Sequence, residues 1–233
     1  MHSLRRSGFL AAAAVLAVSA ATAQELRSDY TPPDRAPEGS VMRTLQMTPD
    51  AAIQAIWADL EAKNFTIETI DPEQRLVVAR YSGDPRPFVD CGTVRVIDKL
   101  NPAAPPKQKY SANRPETRVQ KITRNRQVGL LRKMQLDARL VVRVEPKGKE
   151  DSRVTSEAQY VLSLAAHRLR KGGGYDDEVL RRETISFTSD RAGQFDSGGT
   201  CVANGKLERM PTATLKNEPA DGATAEPASV TTP

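Results

Sequence analysis

Histidine, cysteine and aromatic residues are scarce in this 233-residue chain, which holds two histidines, two cysteines and 5% aromatics. His167 is the only histidine after residue 2, so a histidine-based metal site has almost no material and no metal or other cofactor is expected. No H-E-x-x-H, G-x-S-x-G or P-loop pattern occurs, which removes the signatures of zinc proteases, serine hydrolases and nucleotide binders. No aromatic lies between Arg114 and Lys133, the most basic part of the chain, so base stacking has no platform and nucleic acid is not an expected partner. No apolar run is long enough to span a bilayer as a mature helix.

What the chain does carry, at its start, is an address. Arg5 and Arg6 precede an apolar run from Phe9 to Val18, and Ala21-Thr22-Ala23 follows. A positive start, a short apolar core and an A-x-A end make the pattern of a secretory signal peptide, with cleavage expected after Ala23. Arg5-Arg6-Ser7-Gly8-Phe9 also loosely fits a twin-arginine signal, so both export routes stay open. No cysteine follows the cleavage point, which excludes a lipid anchor there. The expected location is the periplasm, with secretion as the other outcome. Cleavage removes Arg5 and Arg6 and no acid, leaving 32 of the 34 basic residues against 29 acidic ones, a net charge of +3. That excess suits an anionic surface without demanding one.

Cys91 and Cys201 are far apart in a chain bound for an oxidising compartment, and a lone pair there is expected to form a disulfide. The C-x-x-C spacing of a redox pair is missing, so the bridge reads as structural.

Residues 24–40 are polar with Pro32, Pro33 and Pro37, the composition of a flexible leader, and residues 216–233 read as a disordered tail. A single domain is expected over 41–215. Within it, Thr48 is placed to cap a helix that Pro49 opens and Asp50 favours through the dipole. Ile53, Ile56, Trp57 and Leu60 give that helix, expected over Thr48 to Lys63, an apolar face. Phe65 with Ile67 and Leu76 with Val78 flank the turn Asp71-Pro72-Glu73-Gln74, which predicts a hairpin, and Cys91 to Ile97 predicts a further strand. Leu136, Ala138, Leu140, Val142 and Val144 alternate with mostly polar residues, as do Val154, Ala158, Tyr160, Leu162 and Leu164 after the Lys147-Gly148-Lys149 turn. Val179 to Thr188 supplies a third strand. The result is an α+β domain, an antiparallel sheet with one main helix packed across it. A proline-rich, basic insertion is expected at about 101–133.

Few constellations suggest chemistry. Asp196-Ser197-Gly198-Gly199 and Ala165-Ala166-His167 look faintly like serine-protease segments, but 30 residues apart they do not fit that fold, and a glycine-rich turn before a cysteine explains the first. Gly172-Gly173-Gly174 reads as a hairpin connection, and Asp176, Asp177 and Glu178 as a solvated turn. No catalytic residue is assigned. The feature above background is the basic stretch Arg114, Arg118, Lys121, Arg124, Arg126, Arg132 and Lys133, accompanied by the single acid Glu116. It reads either as a solvated face or as a patch for an anionic envelope surface or envelope protein.

The stretch Arg43 to Tyr81 resembles the repeated unit of the BamC (NlpB) outer-membrane assembly lipoproteins. A strand leads there to a helix with a central tryptophan, as in Ala55-Ile56-Trp57-Ala58-Asp59-Leu60, then to strands like Phe65-Thr66-Ile67-Glu68 and Leu76-Val77-Val78-Ala79. The resemblance implies a helix-grip fold and a non-enzymatic role in envelope assembly. It covers under a fifth of the chain, lacks the family's anchoring cysteine, and carries no functional residue across. The expected protein is therefore an exported binding or scaffold protein. A carrier of a small apolar ligand in a helix-grip cleft is the alternative, and a carboxylate hydrolase comes third.

Overall fold

A computed structural model describes residues 26–99, 101–123, 126–170 and 174–215, apart from the side chains of 120–123, 126, 127 and 177. The expected signal peptide and the expected tail from residue 216 lie outside the described residues. Strands β1 (Leu26–Thr31) and β2 (Val41–Leu45) precede helix α1 (Pro49–Ala62), and β3 (Thr66–Asp71), β4 (Leu76–Gly83), β5 (Val89–Asp90), β6 (Thr93–Asp98) and β7 (Gln108–Ser111) follow. Next come β8 (Glu116–Thr123) and three longer strands, β9 (Arg126–Lys147), β10 (Asp151–Leu169) and β11 (Tyr175–Thr188). Strands β12 (Gly193–Gln194) and β13 (Thr200–Ala203) and helix α2 (Lys206–Ala213) complete the order. The protein is thus mostly antiparallel sheet with two helices and a Cys91–Cys201 disulfide.

The spine is the β9–β10 hairpin, paired from Lys147–Asp151 beside its turn to Leu130–Arg168 at the far end. Gly148 sits in the turn at φ +86°, a conformation glycine adopts without steric cost. Even-numbered residues from Met134 to Val144 and from Val154 to Leu164 point to one face and are buried, the polar Ser156 included. Because β9 and β10 outrun their neighbours, each changes partner along its length. Near the turn they are flanked by β4 with β3 and by β2; at the far end, by β8 and β11. The basic stretch expected inside an insertion is therefore β8 and the start of β9, part of the main sheet. Its charge hid a strand whose hydrogen bonds come from β9 and not from its own pattern.

Helix α1 lies on the buried face. Ala52, Ile53, Ile56 and Leu60 are 0 to 3% exposed and pack with Val77, Ala79, Leu140 and Val142 in one core. Trp57 differs from the expectation: it is 39% exposed. At about 100° per residue it falls well to one side of the direction shared by Ile53, Ile56 and Leu60, so it edges the core instead of filling it. Thr48 takes the extended conformation of an N-cap, but only its carbonyl serves, accepting from Ala52 N; the hydroxyl makes no capping bond. The helix ends where Asn64 turns left-handed at φ 61°, with Asn64 N donating to Glu61 O and Phe65 N to Leu60 O. This is the Schellman arrangement, and it drops Phe65 into the core beside Tyr81 and Phe88.

Part of the expected leader is also ordered as β1, which pairs with β6 from Leu26–Asp98 to Thr31–Thr93. Tyr30 fixes it from the side, its hydroxyl donating to Thr200 O at 2.9 Å and accepting from Thr200 N at 2.8 Å. The disulfide sits at this junction, with both cysteines at most 2% exposed. Gly92, next to Cys91, has φ +71°, and a Cβ there would lie 2.1 Å from Thr31 O. Gly92→Ala is expected to separate β1 from β6, lowering thermal stability and exposing residues 26–31 to protease. Wild-type melting with an unchanged cleavage pattern would contradict this.

Candidate functional site

With α1 and α2 on one face, the opposite face of the main sheet is open around Gln135, Arg182 and Thr184, and strand register decides what it displays there. Pairing of β9, β10 and β11 sets Lys133, Ala165 and Arg182 abreast, and one row along it sets Gln135, Ser163 and Thr184 abreast. Residues paired across antiparallel strands share a face. These six line a groove of about 880 Å³. It lies where β4 leaves β9, at Gly83–Leu136, and β8 joins it, at Glu116–Lys133. Asp84 and Glu116 stand on its rim.

Lys133 is held in place. Its Nζ donates to the Tyr175 hydroxyl at 2.8 Å and lies 4.2 Å from the centre of the Tyr175 ring. That hydrogen bond, with a smaller contribution from Glu116, raises the Lys133 pKa above the ordinary lysine value. The ammonium stays charged through neutral pH. Tyr175 in turn meets His167 edge to face at 5.1 Å, and His167 Nδ1 lies 3.2 Å from the Asp176 carbonyl. Arg182 is exposed and makes no ion pair among the described residues. Asp84 is engaged by Arg86, whose Nε donates to it at 2.8 Å and whose guanidinium holds its carboxyl below the usual range.

The basic stretch divides between the two faces. Arg114 and Arg118 are exposed, and the Arg118 carbonyl accepts from Gln108 Nε2. Arg132 does not belong to a surface patch: it sits on the covered side, where its Nη1 donates to Ala112 O at 2.6 Å and burial lowers its pKa. It is one residue out of phase with Lys133, and alternation sends neighbours to opposite faces. Arg124 lies outside the described residues, as do the side chains of Lys121 and Arg126. Arg182, which completes the groove, and Tyr175, which holds Lys133 beside it, were not foreseen. The alternation of Glu183, Ile185 and Phe187 puts Arg182 on the open side, but only the register shows that it faces Lys133.

Two buried polar groups work elsewhere. Glu208 of α2 is 0% exposed, and its Oε1 accepts from the Tyr160 hydroxyl and from Ser189 Oγ, both at 2.6 Å. Glu183, 8% exposed, pairs with Arg181 and accepts from the amide and hydroxyl of Ser197 at 3.0 and 3.1 Å. Ser197 therefore serves Glu183, and His167 bonds to a different element, so the protease-like segments form no catalytic pair. Among the described residues, no group of three or more His, Cys, Asp or Glu side chains is placed to hold a metal ion, and no helix is long and apolar enough to cross a membrane.

No protein-family model matches this chain, and no curated protein or solved structure matches it either.

Proposed function

We propose that the protein is exported to the periplasm and works there without catalysis, as a binding or scaffold protein of the cell envelope that docks on an anionic partner. The observation that carries this is the set of exposed cations at the β8 end of the sheet, Arg114, Arg118 and Arg182, which have no carboxylate partner among the described residues, beside the fixed ammonium of Lys133. The disulfide suits an oxidising compartment. The order β2, α1, β3, β4 over Arg43 to Tyr81 agrees with the BamC-like unit that the sequence resembles, with α1 as the grip helix. Docking is favoured over carriage of an apolar ligand by the contact beneath α1. Ile56, Leu60, Val77 and Leu140 are all 0% exposed, and neither the groove over Ala165 nor the clefts at Ser189 and at Val96 are lined by an α1 residue.

Charge reversal tests this directly. The double substitution Arg114→Glu and Arg118→Glu is expected to cut recovery of in-cell cross-linked envelope partners severalfold at low salt, with a smaller effect at high salt. Recovery equal to wild type at low salt would leave these cations as a solvated face and end the proposal.

A further inference from the structure

The groove on the open face is more specific than a general positive surface. Lys133 and Arg182 stand two strand widths apart, about 10 Å, on either side of Ala165, whose methyl group leaves the space between them open. Both side chains are long enough to reach one ligand group above Ala165. Arginine supplies a planar fork suited to a carboxylate or a phosphate, and lysine a point charge. The rim decides between those anions. Asp84 is already paired with Arg86, so Glu116 alone offsets the two cations, and the single net positive charge that remains suits a singly charged group better than a dianion. The next row, Gln135, Ser163 and Thr184, offers an amide and two hydroxyls, neutral donors and acceptors for a ligand rich in hydroxyl groups. Of the exposed large apolar side chains, Met42, Trp57, Ile70, Tyr175 and Leu180, none lines the groove, so nothing there would enter a lipid layer.

We infer that this groove binds a carboxylated saccharide, with the uronate carboxylate bridged by Lys133 and Arg182 and the sugar hydroxyls held by Gln135, Ser163 and Thr184. The inference rests on the proposed docking role and names the chemistry of its partner.

The test is titration calorimetry of the mature, oxidised protein with polygalacturonate at low salt, set against the fully methyl-esterified polymer, inorganic phosphate and vesicles containing an anionic phospholipid. Binding of polygalacturonate is expected, with no binding of the methyl ester. Lys133→Ala and Arg182→Ala should each weaken it about tenfold, the scale of a lost charge-assisted hydrogen bond. Arg182→Lys should restore part of the loss. Both sites are at the surface, and matching thermal melts will show that the variants fold. Equal binding of the esterified polymer, insensitivity to Arg182→Ala, or binding of phosphate or vesicles in place of the polyuronate would overturn the saccharide assignment. The docking proposal falls separately, on the Arg114 and Arg118 cross-linking result.

Discussion

Replacing Cys91 and Cys201 together by alanine is expected to remove about 2 to 5 kcal/mol of unfolding free energy. The bridge closes a loop across a sequence separation of 110. In the chain-entropy account, so long a loop restricts the unfolded chain by about 4 to 5 kcal/mol, although measured bridges often contribute less. The bonded contacts around it are few. Strand β13 pairs with β5 at Val202–Asp90 and Ala203–Val89 and with β12 at two positions, too little to hold that corner alone. Alanine is the right probe because serine would bury two hydroxyl groups at positions at most 2% exposed. Denaturant unfolding of wild type and the double variant, with and without reductant, provides the measurement. A difference below about 1 kcal/mol in the oxidised comparison would show that the corner is held by packing. Reductant should bring the wild type down to the variant and leave the variant unchanged.

The second large effect is expected at Tyr160, which fastens α2 to the sheet. Its ring is 0% exposed and stacked on Phe187 at 5.1 Å, and its hydroxyl donates to Glu208. Tyr160→Ala removes ring and hydroxyl together and should cost about 3 to 5 kcal/mol. Tyr160→Phe keeps the ring, leaves Glu208 Oε1 with Ser189 as its donor, and should cost about 1 to 3 kcal/mol. The two variants thus separate packing from the polar bond. A Phe variant as stable as wild type would mean that Ser189 alone satisfies the carboxyl group. The hydroxyl also sets an alkaline limit, because burial, reinforced by Glu208, raises its pKa well above the ordinary tyrosine value. Above about pH 10 the unfolded tyrosine releases its proton while the folded one keeps it. The stability carried by the neutral hydroxyl is therefore complete below about pH 10 and is lost as pH rises beyond it. Tyr160→Phe should flatten that part of the stability profile. An unchanged alkaline slope would show that other groups set it.

Local pattern decides the parts of the molecule that bury one face of one element. The apolar spacing of α1, the alternation in β9 and β10, and the β3–β4 hairpin are all legible, because burial of such a face imposes a period on the sequence. Cysteine count and compartment together pointed to the disulfide. Long-range pairing leaves no such period. Strand β1 is held by β6 and by the Tyr30–Thr200 bonds, and β8 draws its hydrogen bonds from β9, so their polar sequences read as a leader and an insertion. Helix α2 escaped notice for a related reason: its anchor is an acid, Glu208, whose burial is made possible by Tyr160 and Ser189 from distant strands.

The candidate site divides in the same way. The sequence by itself determined that cations are concentrated between Arg114 and Lys133, that almost no material exists for a histidine-based metal site, and that one helix covers an antiparallel sheet. Only the tertiary structure decided which cations share a surface. Adjacent residues of a strand point to opposite faces, which sent Arg132 inward and Lys133 outward. Register, fixed by backbone hydrogen bonds between distant segments, then brought Arg182 opposite Lys133 across Ala165. Composition records how many charges a segment carries; the pairing of strands determines where they meet.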